Sequence, residues 1–294
     1  MLKKSKEYYL KLLKRPPVIG LTFVFLLVLS PIMWGSHDIF AFFSLEGLLI
    51  VMGGVIAVAF MSFRRDDVQK ALDAIMVMFR EEEAPKDTLR HSMRQIISWA
   101  HLVTENGTRN LESIDRAGVT DPLVKYGLNM VMSDYAPEDV RTMMETASDI
   151  CYERESIPVD VLQAMTSHAP AFGMVGTLVG MVIMLCNLGD NVSGMGSSLA
   201  VSFLSTLYGV VSARMIYIPA AARLRREVED HRFSNYLISE GMAMLASKKT
   251  PMYIQDRLNS YLRPEIHDYF DYFNGASKVT AKQPRSPALK IAHV

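Results

Sequence analysis

Thr177, Ser205, Thr206 and Tyr208 place hydroxyls inside two apolar stretches, residues 169–188 and 194–213, that contain no carboxylate. At about 1.5 Å rise per residue, each stretch is long enough to cross a bilayer as a helix. Hydroxyls beside close-packing glycines suit an ion path, because their oxygens can stand in for part of a hydration shell. Yet neither stretch has an acid that could bind and release a cation by titrating. If an ion passes here, its carboxylate comes from elsewhere.

The same residues have a plainer reading. Gly173, Gly176, Thr177 and Gly180 share one side of the first helix, and Ser198, Ser202, Ser205, Thr206, Gly209 and Ala213 one side of the second. Small residues let membrane helices approach closely. That accounts for Gly173, Gly176, Gly180 and Gly209 as packing residues, and a hydroxyl can bond its own helix backbone. Spacing alone leaves packing and an ion path both open. Pro170 and Pro219 flank the pair of stretches and remove backbone donors, which makes either one a kink or simply a helix boundary. Arg214 can snorkel to headgroups from the end of the second stretch, and His168 reads as a membrane-edge residue.

These helices need company. Residues 16–36 and 47–63 are free of charge and rich in Leu, Val, Ile, Phe and Gly, which gives four expected spans. The second is the shortest and is expected to extend back through residues 39–45, with Glu46 in its outer third. The basic head before the first span suits a signal peptide, but its apolar part is too long and no small-x-small site follows Trp34, so an uncleaved helix is expected. Lys and Arg cluster at residues 3–15, at Arg64-Arg65 and at Arg223, Arg225 and Arg226, whereas the hairpin connections near 35–38 and 189–193 have none. The positive-inside rule therefore puts both termini and residues 64–168 in the cytoplasm. There Cys151 stays reduced, Cys186 lies within a span, and the Asn106-Gly107-Thr108 sequon is out of reach of glycosylation.

The fold class is all-α: a polytopic membrane protein of four transmembrane helices with a helical cytoplasmic domain. Its expected parts are a basic cytoplasmic N-terminus (1–15), spans one and two (16–63), the helical cytoplasmic domain (64–167), spans three and four (168–217), C-terminal cytoplasmic helices (218–274) and a flexible tail (275–294). Val68, Ala71, Leu72, Ile75, Met78 and Phe79 continue a helix from the second span as far as the acids at 81–83 and Pro85. Further helices are expected from about Asp87 through Leu102, from Asp121-Pro122, from Pro137, and from Pro158 into the third span. Another carries Leu224, Val228, Leu237 and Met244 after the fourth span, and a last one covers 252–262. No strand-period segment and no repeat is visible.

Composition narrows the function classes. Lys plus Arg and Asp plus Glu both total 31 across 294 residues, so there is no basic excess of the kind a general nucleic-acid binder shows. The histidines lack metal-ligand spacing, and phosphate loops, nucleophile elbows and paired catalytic acids are missing from the sequence. An enzyme is not expected, nor a metal or a cofactor other than a transported ion.

HAPAFGMVGTLVGMVIML, followed by LAVSFLSTLYGVVSARMIYIP, resembles the third and fourth membrane helices of the MotA/PomA family, the A subunits of ion-driven flagellar stators. SLEGLLIVMGGVIAVAFMSFRRDDVQKAL resembles that family's second span and its exit. The resemblance covers roughly residues 16–250; the related ExbB/TolQ energisers share the last two spans but lack the four-span arrangement. It implies a multi-pass protein of the bacterial inner membrane. Five copies would surround two single-span, peptidoglycan-binding MotB/PomB-like subunits, whose membrane aspartate carries the permeating proton or sodium ion. Thr177 and Thr206 would line the ion path, joined on the spacing argument by Ser205 and Tyr208, while Pro170 and Pro219 would couple ion binding to movement. Cytoplasmic charges would pass torque to a FliG-like rotor protein.

The family's torque motif is an arginine with a glycine three positions on and a glutamate eight positions on. Gly107 and Glu112 match, but the arginine position holds Thr104. Arg109 lies five positions from Thr104 and so on a different helix face. The rotor contact would then use Glu112 with Lys86, Arg90 or Arg109, or the load is not a flagellar rotor. Arg214 also stands where the family usually has asparagine. Three readings remain: a stator subunit, a trans-envelope energiser with another load, and a non-conducting membrane scaffold. Hydroxyl oxygens suit sodium and proton paths alike, so the ion is open.

Overall fold

The computed structural model describes residues 43–78, 86–106, 121–186 and 192–262, and these are helical apart from short turns. The expected N-terminus, first span, first hairpin connection, residues 189–191 of the second, Arg109, Glu112 and the tail lie outside the described residues.

Helix α1 runs over Leu45–Ser62 and is long and apolar enough to cross a membrane. Its start is set by Ser44, whose side chain accepts the Gly47 N–H at 3.2 Å and whose extended backbone stops the helix from continuing backward. The expected extension through residues 39–45 therefore fails at Phe43-Ser44. A wider π turn, Leu49–Gly53, interrupts α1. At the other end Phe63 and Arg64 turn extended, so α2 (Arg65–Val77) is a separate helix and not the expected continuation of the span. Asp66 and Asp67 in its first turn complement the helix dipole. Val68 and Ala71 on its apolar face are buried.

Helix α3 spans Lys86–Asn106, and α4 spans Pro122–Met132 with Asp121 accepting the Leu123 and Val124 N–H groups as its cap. The largest departure from the sequence reading is α5, a single helix of 50 residues from Pro137 to Cys186, about 75 Å long. Two helices meeting at Pro158 are expected from the sequence, but Pro158 is buried inside the one helix, and Pro170 is also internal. Each costs one backbone bond, which burial of Val159, Val161, Leu162, Met165 and Ala169 on the same helix offsets.

Helix α6 (Val192–Ser212) passes through a second π segment, Ala213–Tyr217, directly into α7 (Ile218–Ala246). The fourth span and the C-terminal helix thus form one continuous rod, with Pro219 in the first turn after the π segment. Lys248 takes a left-handed φ of 55° and turns the chain into α8 (Pro251–Asn259), capped by Thr250.

Two apolar clusters hold these rods. One lies toward the Ser62 end of α1, where Val55 and Ala59 of α1 and Val68 of α2 meet Val161, Leu162 and Met165 of α5, with Tyr217 and Ala220. The other packs Ile96 and Ile97 of α3, Leu128 of α4, Met144 of α5, Leu237 and Met242 of α7, and Ile254 and Leu258 of α8. Helices α5 and α7 contribute to both. Beside the second cluster the Glu240 carboxylate, 4 % exposed, takes Arg141 of α5 at 3.1 Å and Arg257 of α8 at 3.6 Å.

That carboxylate ties three helices together. Replacing Glu240 with Ala leaves two guanidinium groups without their acceptor, although both are partly solvated. Thermal unfolding of the purified chain should show a loss of about 2 kcal/mol, with Glu240→Gln retaining part of it.

Candidate functional site

Helices α5 and α6 meet along the small residues that the sequence singled out. A Cβ added at Gly209 would stand 2.5 Å from the Ala169 carbonyl oxygen, and one at Gly173 would stand 3.1 Å from the Ser205 carbonyl oxygen. Gly176 and Gly180 are buried on the same seam, against Ser205 and Ser202 respectively. All four glycines lie on this seam, Gly173 and Gly209 facing backbone of the other helix, Gly176 the Ser205 side chain, and Gly180 both the Ser202 side chain and backbone.

The close approach brings two hydroxyls together. Thr177 Oγ1 and Thr206 Oγ1 are 2.6 Å apart. Thr177 also lies 3.1 Å from the Gly173 carbonyl of its own helix and 3.1 Å from the Ser202 carbonyl across the seam. Thr206 reaches the same Gly173 carbonyl at 3.3 Å. Each hydroxyl supplies one hydrogen and two acceptor lone pairs. One of the two hydrogens joins the hydroxyls to each other, in either direction, and the other goes to a carbonyl. Both carbonyls also accept the N–H one turn on in their own helix, so the cluster is a hydrogen-bonded seam with spare hydroxyl lone pairs.

Ser205 and Tyr208 do not join this cluster. Ser205 is fully buried and donates to the Val201 carbonyl of its own helix at 2.7 Å. Tyr208 lies two residues from Thr206, on the far side of α6. Its hydroxyl accepts the Ser44 N–H at 2.9 Å and so helps fix the start of α1. Ser202 and Ser212 likewise bond carbonyls of their own helix. Glu46, in the first turn of α1, is exposed and not turned into the α5–α6 seam.

Pro170 is half-buried next to Ala169, the residue that Gly209 approaches. Pro219 is exposed just beyond the π segment, with Arg214 exposed inside it. The two π segments touch where the Tyr217 hydroxyl lies 3.5 Å from the Met52 sulfur. Neither segment has a sequence signature of its own. Lys86 and Arg90 belong to the first turns of α3. Thr104, exposed near the end of that helix, donates to the Ala100 carbonyl at 2.7 Å.

Three helices among the described residues are long and apolar enough to cross a membrane, and a part-buried hydroxyl cluster lies at the glycine seam between the last two. That defines a polytopic helical membrane protein with a polar locus between its last two spans. A family model described as the MotA/TolQ/ExbB proton channel family matches residues 115–234. The protein YtxD of Bacillus subtilis is 31 % identical over 218 residues, covering 74 % of this chain and 78 % of its own. The chemotaxis protein PomA of Vibrio alginolyticus is 28 % identical over 245 residues, covering 83 % of this chain and 91 % of its own. The solved structure of C. jejuni MotAB superposes with a TM-score of 0.72 at 20 % identity, over 85 % of this chain and 96 % of that one, a likeness of fold. The chain belongs to the MotA/TolQ/ExbB proton channel family.

The seam separates two kinds of substitution. Gly209→Ala presses a methyl onto backbone that cannot rotate away, and should cost about 1–3 kcal/mol in a thermal melt of the detergent-solubilised chain. Ser205→Ala removes a bond internal to one helix and should cost no more than about 0.6 kcal/mol.

Proposed function

We propose that the chain is the A-type subunit of an ion-driven stator in the bacterial inner membrane. Five copies ring two single-span, peptidoglycan-anchored subunits of the MotB/PomB kind, and ion flow turns the ring to drive a cytoplasmic rotor. The observation that carries this reading is the Thr177–Thr206 cluster, an acceptor-rich polar locus in spans three and four, which hold no carboxylate of their own. A partner's membrane acid completes it. Relatives named motility protein A and PomA, and a structural neighbour described as a flagellar MotAB stator complex, support the same reading.

In this reading Thr177 and Thr206 offer hydroxyl and carbonyl oxygens to the proton or sodium ion as it passes to and from the partner's carboxylate. Ser205 and Tyr208 support that path by holding α6 and the start of α1. Pro170, and Pro219 beside its π segment, mark where α5 and the α6–α7 rod can bend as the partner's charge changes. The rods then carry that movement to the cytoplasmic core and to a charged surface built from Lys86, Arg90, Arg109 and Glu112. The functional parts follow the same plan: N-terminus 1–15, spans in 16–63 and 168–217, cytoplasmic domain 64–167, C-terminal helices 218–274 and tail 275–294.

One observation favours a second load. Thr104 is turned back onto its own helix and brings no charge to the position where the family's torque motif has arginine. A trans-envelope energiser with the same ion path and a different cytoplasmic partner fits that substitution.

Co-expression with the single-span partner tests the assignment. Native mass spectrometry should give five copies of this chain to two of the partner; a stable monomer or dimer contradicts the ring. Thr177→Ala and Thr206→Ala should lower ion-driven output while the ring persists, since each removes about 0.6 kcal/mol of membrane hydrogen bonding, too little to unfold the bundle. Unchanged output in both variants reduces these hydroxyls to packing groups. With a FliG-type rotor, Thr104→Arg should maintain or raise tethered-cell rotation speed. Loss of rotation with the ring intact indicates a different load.

A further inference from the structure

On the cytoplasmic side, α5 and α7 leave between them a groove of about 470 Å³ that the stator reading does not use. Glu145, Ser148 and Asp149 line one wall, and Glu229, Arg232, Phe233 and Tyr236 the other. Arg232 is committed: it pairs with Asp149 at 2.8 Å and lies 4.4 Å over the Tyr152 ring. Glu145 and Glu229 have no ion pair among the described residues, so the groove keeps two carboxylates open to a cationic partner. Phe233 and Tyr236 stay 42 % and 40 % exposed, giving it an apolar floor beside those acids. Partial burial raises the Tyr236 hydroxyl above its ordinary pKa, and Tyr261, Glu240 and Glu145 add to the effect, as expected for an electronegative lip.

The chain itself passes this lip. Tyr261, two residues beyond α8, packs edge-on against Tyr236 with ring centroids 6.0 Å apart. Arg257, one turn earlier, is held by Glu240. The described fold therefore ends, at Leu262, beside the mouth of the groove. After Asp271 the remaining sequence contains no acid and carries Lys278, Lys282, Arg285 and Lys290, interspersed with Val279, Leu289 and Ile291. Fifteen residues extended cover about 50 Å, whereas Tyr236 and Glu229 are about 10 Å apart along α7, so reach sets no limit.

We propose that the α5–α7 groove is a docking site for the chain's own basic C-terminal stretch, residues 278–290. Its ammonium and guanidinium groups pair with Glu145 and Glu229, and its aliphatic residues cover Phe233 and Tyr236. A short tether presents the stretch at an effective concentration in the millimolar range, so contacts too weak to hold a free peptide still populate the docked state.

The test uses the full chain in detergent with the photo-crosslinker p-benzoylphenylalanine at position 233, and peptides mapped by mass spectrometry. Irradiation should capture peptides from residues 275–294. In an equal mixture of light and heavy-isotope chains, each captured pair should carry a single label. The double variant E145K/E229K should cut capture about tenfold, as should raising salt well above physiological strength. Adding K278E and K282E to that variant should restore capture, which also shows that the reversed groove remains folded. Capture of another segment, mixed-label pairs from a neighbouring copy, or capture indifferent to charge reversal would each overturn the proposal.

Discussion

The distance between α5 and α6 is set where Gly209 meets the Ala169 carbonyl, and the chemistry of the membrane region depends on it. In hydrocarbon no water satisfies a stray hydroxyl, so a polar side chain bonds its own helix or a neighbouring one. Glycine at 173 and 209 brings the backbones near enough for the second choice. Thr177 then reaches the Ser202 carbonyl and Thr206, and Thr206 reaches the Gly173 carbonyl. Ser202 and Ser205, on the same seam, make the first choice and bond carbonyls of their own helix.

The seam would be an isolated feature if its helices ended at the membrane. They do not. Helix α5 and the α6–α7 rod run unbroken from the spans into the cytoplasmic core, where Glu240 locks them to each other and to α8 through Arg141 and Arg257. Arg223 adds a bond to the Met78 carbonyl at 2.8 Å, tying α7 to the end of α2. The seam is thereby joined to the far core through helices and not through loops. The places where the rods are weakest in backbone bonding are Pro158, Pro170 and the segment Ala213–Tyr217, and the last of these packs against the π turn of α1 through Tyr217 and Met52. Wider turns and missing bonds are where a helix bends at least cost.

Much of this architecture is legible in the residues. Glycines and threonines at helical spacing in a stretch without acids identify a packed polar seam, and the quoted motifs of spans two to four identify the family. Which hydroxyls share the cluster is not legible, because Ser205 and Thr206 are neighbours whose partners depend on how α6 is rotated. Pro158 misleads for a related reason: proline is a local start signal, and only the burial of the surrounding residues makes an unbroken helix the better solution. The π segments carry no comparable signature. Glu240 is visible as a lone acid within LISEGMAML, but its two arginine partners come from one helix far upstream and another just downstream, a pairing that periodicity does not encode.

In the proposed stator, this chain would supply an acceptor-rich path and its single-span partner the titrating carboxylate. The most direct measurement is ion flux into liposomes reconstituted with the chain alone and, separately, with its single-span partner. The membrane should stay sealed with the chain alone and pass protons or sodium only when the partner carries its membrane carboxylate. Flux through the chain alone, or flux that persists when that carboxylate is replaced by its amide, would contradict it.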